Sequence, residues 1–207
     1  MLYIFDEVDQ LSEDFIAGKM SLLSDERREK VQRLRYQSGK KESVAAYLLL
    51  RIALLENYDI DKIVEFDYLE KGKPVLRDFP QIHFNLSHTK GIAACAVSDH
   101  EVGVDVQIIR GVTDKTAKRV LTGSEYEMFK SALVPDEYFC EVWAIKESFM
   151  KKTGQGIAAA FKKLPVNDIE DKLVFREKDY FCCICGSSSQ NMQIKHIRRN
   201  DFEKLRY

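Results

Sequence analysis

Hydrophobic periodicity switches from helical to alternating twice along this chain, and that succession limits its fold more than any single residue does. Residues 40–57 carry Val44, Leu48, Ile52 and Leu55 near helical spacing. Residues 63–69 then alternate, with Val64, Phe66 and Tyr68 on one side and Glu65 and Asp67 on the other, as on a half-buried strand. Ile82, Phe84 and Leu86 alternate with His83, Asn85 and Ser87, so a strand should run into a polar loop. Residues 92–97 and 102–108 are apolar runs joined by Ser98-Asp99-His100-Glu101, which reads as an antiparallel hairpin. A strand at 2–8 and a helix at 25–36 precede them; Ser24 is a good N-cap, and acids fill the first turn. The second half repeats the theme. Helices are expected at 113–121, at 124–132 with Ser124 and Glu127 as a capping box, and at 136–153 with Gly154 just past the end. Strands follow near 173–177, 180–185 and 192–197, with a loop from Gly186 to Asn191. Helices then strands, twice, predict an α+β fold in two lobes, residues 1–100 and 101–207, packed as one unit.

Composition narrows the function classes. The 207 residues suffice for a core without staples, and 45% hydrophobic with 11% aromatic residues argues against disorder. With 32 Lys+Arg against 33 Asp+Glu, the surface is not coated for nucleic acid. No apolar run is long enough for a transmembrane helix. The opening residues meet acid at once and lack the basic start of a signal peptide. Five cysteines, an odd number, read as reduced thiols of a cytoplasmic protein. Adjacent Cys182 and Cys183 would face opposite sides of a strand, so with Cys185 they are expected to be core thiols rather than a zinc site.

Three segments carry chemistry. In Val102-Gly103-Val104-Asp105-Val106-Gln107 a carboxylate sits mid-strand among apolar residues, with Gln107 on the same face. Burial of that carboxylate demands a cationic partner or a metal. On the helix 136–153, Trp143, Glu147 and Lys151 form one stripe, and Glu147 to Lys151 is the favourable order for an intrahelical ion pair. Phe84-Asn85-Leu86-Ser87-His88-Thr89 places polar groups at a strand end. Arg27 and Lys30 share one face of the basic helix.

In order and spacing these segments, with Gly72-Lys73-Pro74 and Trp143 to Gly154, resemble the motifs of the surfactin-type 4′-phosphopantetheinyl transferase family, from about residue 20 to 160. The resemblance implies two similar α+β lobes related by a pseudo-twofold, with coenzyme A between them. It implies Mg²⁺-dependent transfer (Mn²⁺ as an alternative) of the 4′-phosphopantetheine arm of coenzyme A to a serine of an apo acyl- or peptidyl-carrier protein, releasing adenosine 3′,5′-bisphosphate. By position, Asp105, Gln107 and Glu147 would be metal ligands, and Glu147, Lys151 and Asp105 the catalytic set. Arg27, Lys30, Ser43, Lys73, Ser87, His88 and Lys151 would bind coenzyme A. Lys146, about 100° round the helix from Glu147, would have a supporting role at most. Gln107 departs from the family, which usually has Glu there; its amide oxygen can coordinate a hard cation, but without charge. A cytoplasmic monomer is expected, without nucleic-acid or membrane partners.

Overall fold

The protein is described from a computed structural model covering residues 1–155, 161–186 and 191–206. Of the loop expected at 186–191, residues 187–190 lie outside the described residues.

The first sheet has the order β4-β5-β1-β9, formed by β1 (Leu2–Phe5), β4 (His83–Thr89), β5 (Ile92–Ser98) and β9 (Ile194–His196). The second runs β6-β8-β7, from β6 (Gly103–Ile108), β7 (Lys172–Arg176) and β8 (Tyr180–Cys185). A ribbon of β2 (Phe66–Tyr68) and β3 (Pro74–Leu76) stands apart. Among the described residues six α-helices complete the fold: α1 (Glu13–Lys19), α2 (Asp25–Arg33), α3 (Gln37–Tyr58), α4 (Asp114–Val120), α5 (Gly123–Ser131) and α6 (Pro135–Thr153).

Period-two alternation sorts side chains into layers. Tyr3, Phe5, Cys95 and Val97 join the core under α3, while Leu2, Ile4, Ala94 and Ala96 point the other way. There they meet Val102, Val104, Val106, Cys182 and Ile184 of the second sheet. The opposite face of that sheet, with Cys183 and Cys185, packs under α6. The two sheets therefore lie face to face, with α3 and α6 outside, an α+β fold.

Several local expectations are corrected. Residues 92–97 and 102–108 do not form a hairpin. Strand β5 is already paired on both edges, with β4 (Phe84↔Val97) and β1 (Tyr3↔Cys95), so β6 pairs with β8 instead (Asp105↔Cys183). The true hairpin is β4–β5, turned at Gly91 with φ of 79°. The polar segment 87–89 is strand rather than loop, because it pairs with residues 92–94 of β5. Of residues 63–69 only β2 is strand, and Tyr68 is exposed. The capping box of α5 is Thr122 with Glu125 rather than Ser124 with Glu127, since Thr122 is the extended residue before the helix. Strand β9 runs parallel to β1 (Tyr3↔Lys195), and Ile197, Phe202 and Leu205 fill the core of the first lobe. Residues 194–205 thus cross the division expected at 100/101. The three strand cysteines are free and buried, with Cys182 between the sheets and Cys183 and Cys185 beneath α6 against Ser148 Oγ.

Candidate active site

The site begins with a close approach. A Cβ on Gly103 would lie 2.0 Å from the Ser148 carbonyl oxygen and 2.4 Å from the Lys152 nitrogen. Only glycine lets α6 rest directly on the backbone of β6. That contact brings residues 147 and 151, one helical turn apart, over the face of β6 that carries Asp105.

Asp105 and Glu147 are 5% and 7% exposed, so both carboxylates are effectively out of water. Asp105 Oδ1 accepts from Lys151 Nζ at 2.7 Å and from Ser87 Oγ at 2.9 Å. Lys151 Nζ also donates to Ser87 Oγ at 3.0 Å and to the Val104 carbonyl at 3.2 Å. The expected Glu147–Lys151 pair is therefore replaced by a bridge across to β6, where the more deeply placed carboxylate needs the cation. Asp105 Oδ2 and Glu147 Oε2 are buried and have no hydrogen-bond partner. Burial, reinforced by the neighbouring Asp105 and opposed by Lys151, pushes the Glu147 carboxyl up to about 7. Burial also raises Asp105, against the opposing pull of Lys151 and Ser87.

Two orphaned carboxylate oxygens, on side chains close enough for Asp105 to raise the Glu147 carboxyl, fit a hard divalent cation, which would offset both penalties. Among the described residues no group of three or more His, Cys, Asp or Glu could hold a metal ion. A cation held by these two carboxylates would complete its coordination with water or phosphate oxygens. Gln107 is half-buried on the same strand face, and its Nε2 donates to the Ile108 carbonyl at 3.5 Å.

Beside this pair opens a cleft of about 330 Å³. Its walls carry Arg27, Lys30, Lys71, Lys73, His88 and Lys151, with Phe66, Tyr68, Leu86 and Met150 as the apolar part. Arg27 is buried against the Tyr47 and Phe66 rings, and its Nη2 donates to Ser43 Oγ at 3.0 Å. Burial and then Arg27 lower the Lys30 ammonium below its ordinary range. Lys73 Nζ pairs with Glu101 and donates to the Lys152 carbonyl at 2.6 Å, tying the Gly72 turn to the end of α6. His88 Nδ1 lies 3.1 Å from Glu42 Oε2. Such a set of cations around a part-apolar slot suits a polyphosphate ligand with an aromatic or aliphatic body.

Of the residues singled out from sequence, Arg27, Lys30, Lys73, His88 and Lys151 line the cleft. Ser43 and Ser87 lie behind it, holding Arg27, Asp105 and Lys151. Lys146 points away into the second lobe. It is fully buried, paired with Glu125 at 2.6 Å and bonded to the Phe161 and Val120 carbonyls. Sequence reasoning missed Lys71, Phe66 and Tyr68 as lining residues. The turn at Gly72, φ of 82°, was their signal, because it folds the β2–β3 ribbon over the cleft.

Residues 101–198 match the model of the 4′-phosphopantetheinyl transferase superfamily, and residues 11–100 match that of the 4′-phosphopantetheinyl transferase N-terminal region. The chain is 30% identical over 155 residues to the 4′-phosphopantetheinyl transferase Sfp of Bacillus subtilis, covering 73% of this chain and 69% of that protein. It is 30% identical over 217 residues to the 4′-phosphopantetheinyl transferase gsp of Aneurinibacillus migulanus, covering 93% and 88%. To the 4′-phosphopantetheinyl transferase HetI of Nostoc it is 41% identical over 105 residues, covering 46% and 44%.

Proposed function

The chain belongs to the surfactin-type 4′-phosphopantetheinyl transferase family, and on that premise we propose that it moves the phosphopantetheine arm of coenzyme A to a serine of an apo acyl- or peptidyl-carrier protein, with Mg²⁺ and release of adenosine 3′,5′-bisphosphate. The observation that carries the finer reading is the pair of orphaned, buried oxygens on Asp105 and Glu147 at the edge of a cationic cleft.

Asp105 and Glu147 would hold the divalent cation, with Gln107 as a neutral neighbour on the same strand face. Held there, a divalent cation would supply charge neutralisation for the pyrophosphate. The carrier serine oxygen forms a bond to the β-phosphorus as the bond from that phosphorus to the bridging oxygen breaks. Glu147 would accept the serine proton, directly or through a water. Lys151 holds the α-phosphate side, where the leaving bisphosphate gathers charge. Arg27, Lys30, Lys73 and His88 hold the remaining phosphate and the nucleotide, while Ser43 steadies Arg27 from behind. Free, buried cysteines agree with a reducing, cytoplasmic setting, and a site built by one chain agrees with a monomer. Among the described residues no helix is long and apolar enough to cross a membrane.

Intact-mass spectrometry of apo acyl- and peptidyl-carrier proteins, after incubation with this protein, coenzyme A and Mg²⁺, tests the reading. One added phosphopantetheine, lost when the carrier serine is alanine, is expected. Asp105→Ala and Glu147→Ala should abolish the gain with the fold intact. Coenzyme A binding without transfer to either carrier would sink the assignment.

A further inference from the structure

Strand β4 is the edge of the first sheet, and β6 is the edge of the second. They share no backbone ladder, yet β6 does not leave its outer amides bare. The Val104 N–H donates to Asn85 Oδ1 at 3.0 Å, and the Val106 N–H donates to Ser87 Oγ at 3.2 Å. Asn85 and Ser87 are two apart on β4 and face the second sheet, as their partners Ala96 and Ala94 do. Val104 and Val106 are likewise two apart. Two side chains therefore act as rungs of a ladder between the sheets, and both rungs are buried. Asp105 is the residue between the rungs.

We propose that Asn85 is a positioning residue for the transfer reaction: its carbonyl oxygen fixes the height of β6 against β4, and so sets Asp105 relative to Glu147 and Lys151. The proposal rests on the reading of Asp105 as a metal-holding group. Asn85 acts through the strand, from the sheet side. Ser87 touches Asp105 and Lys151 directly, whereas the Asn85 acceptor bonds the amide of the preceding residue. Without that acceptor the Val104 N–H is buried and unpaired, which drives β6 to shift. A displacement of about 1 Å at a phosphoryl-transfer centre costs on the order of a hundredfold in rate.

Two variants separate this role from ligand binding, because Asn85 also lines the cleft. Asn85→Ala removes the acceptor. Its kcat should fall at least about tenfold, with KM for coenzyme A within about twofold. Its Val104 amide should lose protection in hydrogen exchange. Asn85→Asp keeps an oxygen for Val104 but places a carboxyl on the cleft wall. It should keep Val104 protection and lose less kcat than Asn85→Ala, while KM for the anionic substrate rises. A higher Mg²⁺ requirement in the alanine variant, absent in the aspartate variant, would place the fault at Asp105. Near-wild-type kcat in Asn85→Ala, or an equal kcat loss in both variants, overturns the proposal. The exchange arm needs no turnover. A protein that transfers nothing to any carrier, yet shows the Val104 change, would fail the functional reading and keep the ladder.

Discussion

Substitution of Gly103 by alanine tests whether the close seat of α6 on β6 sets the site. The added methyl would sit 2.0 Å from the Ser148 carbonyl oxygen and 2.4 Å from the Lys152 nitrogen, both backbone atoms that cannot rotate away. Ordinary contact begins at 3.4 Å, so the helix must lift by about 1.4 Å. Overpacking of this kind costs about 1–3 kcal/mol. For a chain of this size that is about 2–4 °C in Tm per kcal/mol, a fall of about 2–12 °C in all. The effect on activity should be larger. The Lys151–Asp105 contact is 2.7 Å, and a rise of that size carries it out of hydrogen-bond range. Turnover should fall about a hundredfold. Thermal unfolding and single-carrier mass spectrometry would be run beside Gly111→Ala, which meets nothing within 4 Å and should change neither readout. A Gly103→Ala protein that melts within about 2 °C of wild type and turns over normally would refute the reasoning.

Glu147 gives a pH prediction for the metal-free protein. Its folded-state carboxyl is raised from 4.5 to about 7, so the folded state binds that proton more tightly. Its contribution to stability is full below about 4.5 and is lost as pH rises through about 7. The loss is on the order of 3 kcal/mol by pH 8. Glu147→Gln should remove it, and urea unfolding at pH 5 and pH 8 with equal slopes for both proteins would refute the burial argument. Lys146→Ala strands Glu125 in the second lobe and should cost about 3–5 kcal/mol. Coenzyme A affinity of the protein that remains folded should be unchanged; a selective rise in KM would return Lys146 to the substrate site.

Helices were the most legible part of the chain. Ser24 caps α2, and Gly154 closes α6 with φ of 65°, as their residue types require. Strand pairing was not legible, because an apolar run such as 92–97 does not say which edge it will accept. That was decided by β1, which occupies the second edge of β5 from the far end of the sequence. The site divides the same way. That Arg27 and Lys30 share one helix face, and Glu147 and Lys151 another, could be read from spacing, while their place in a site came from the family resemblance. The turn of Lys151 to Asp105 rather than Glu147 could not, since it depends on the seat at Gly103. Lys146, expected to support the chemistry at most, is a core ion pair, because one helical step turns it about 100° from Glu147 and into the second lobe.

The return of β9 to β1 has a consequence for how the protein is made. The first lobe cannot be completed in the order of synthesis. Its β1 edge stays open, and the pocket for Ile197, Phe202 and Leu205 stays unfilled, until residues 194–205 have been made. An unpaired edge beside exposed apolar surface is where nascent chains associate wrongly. The segment 194–205, remote from the cleft, therefore acts as a latch whose arrival after the rest of the lobe makes residues 1–100 vulnerable during translation.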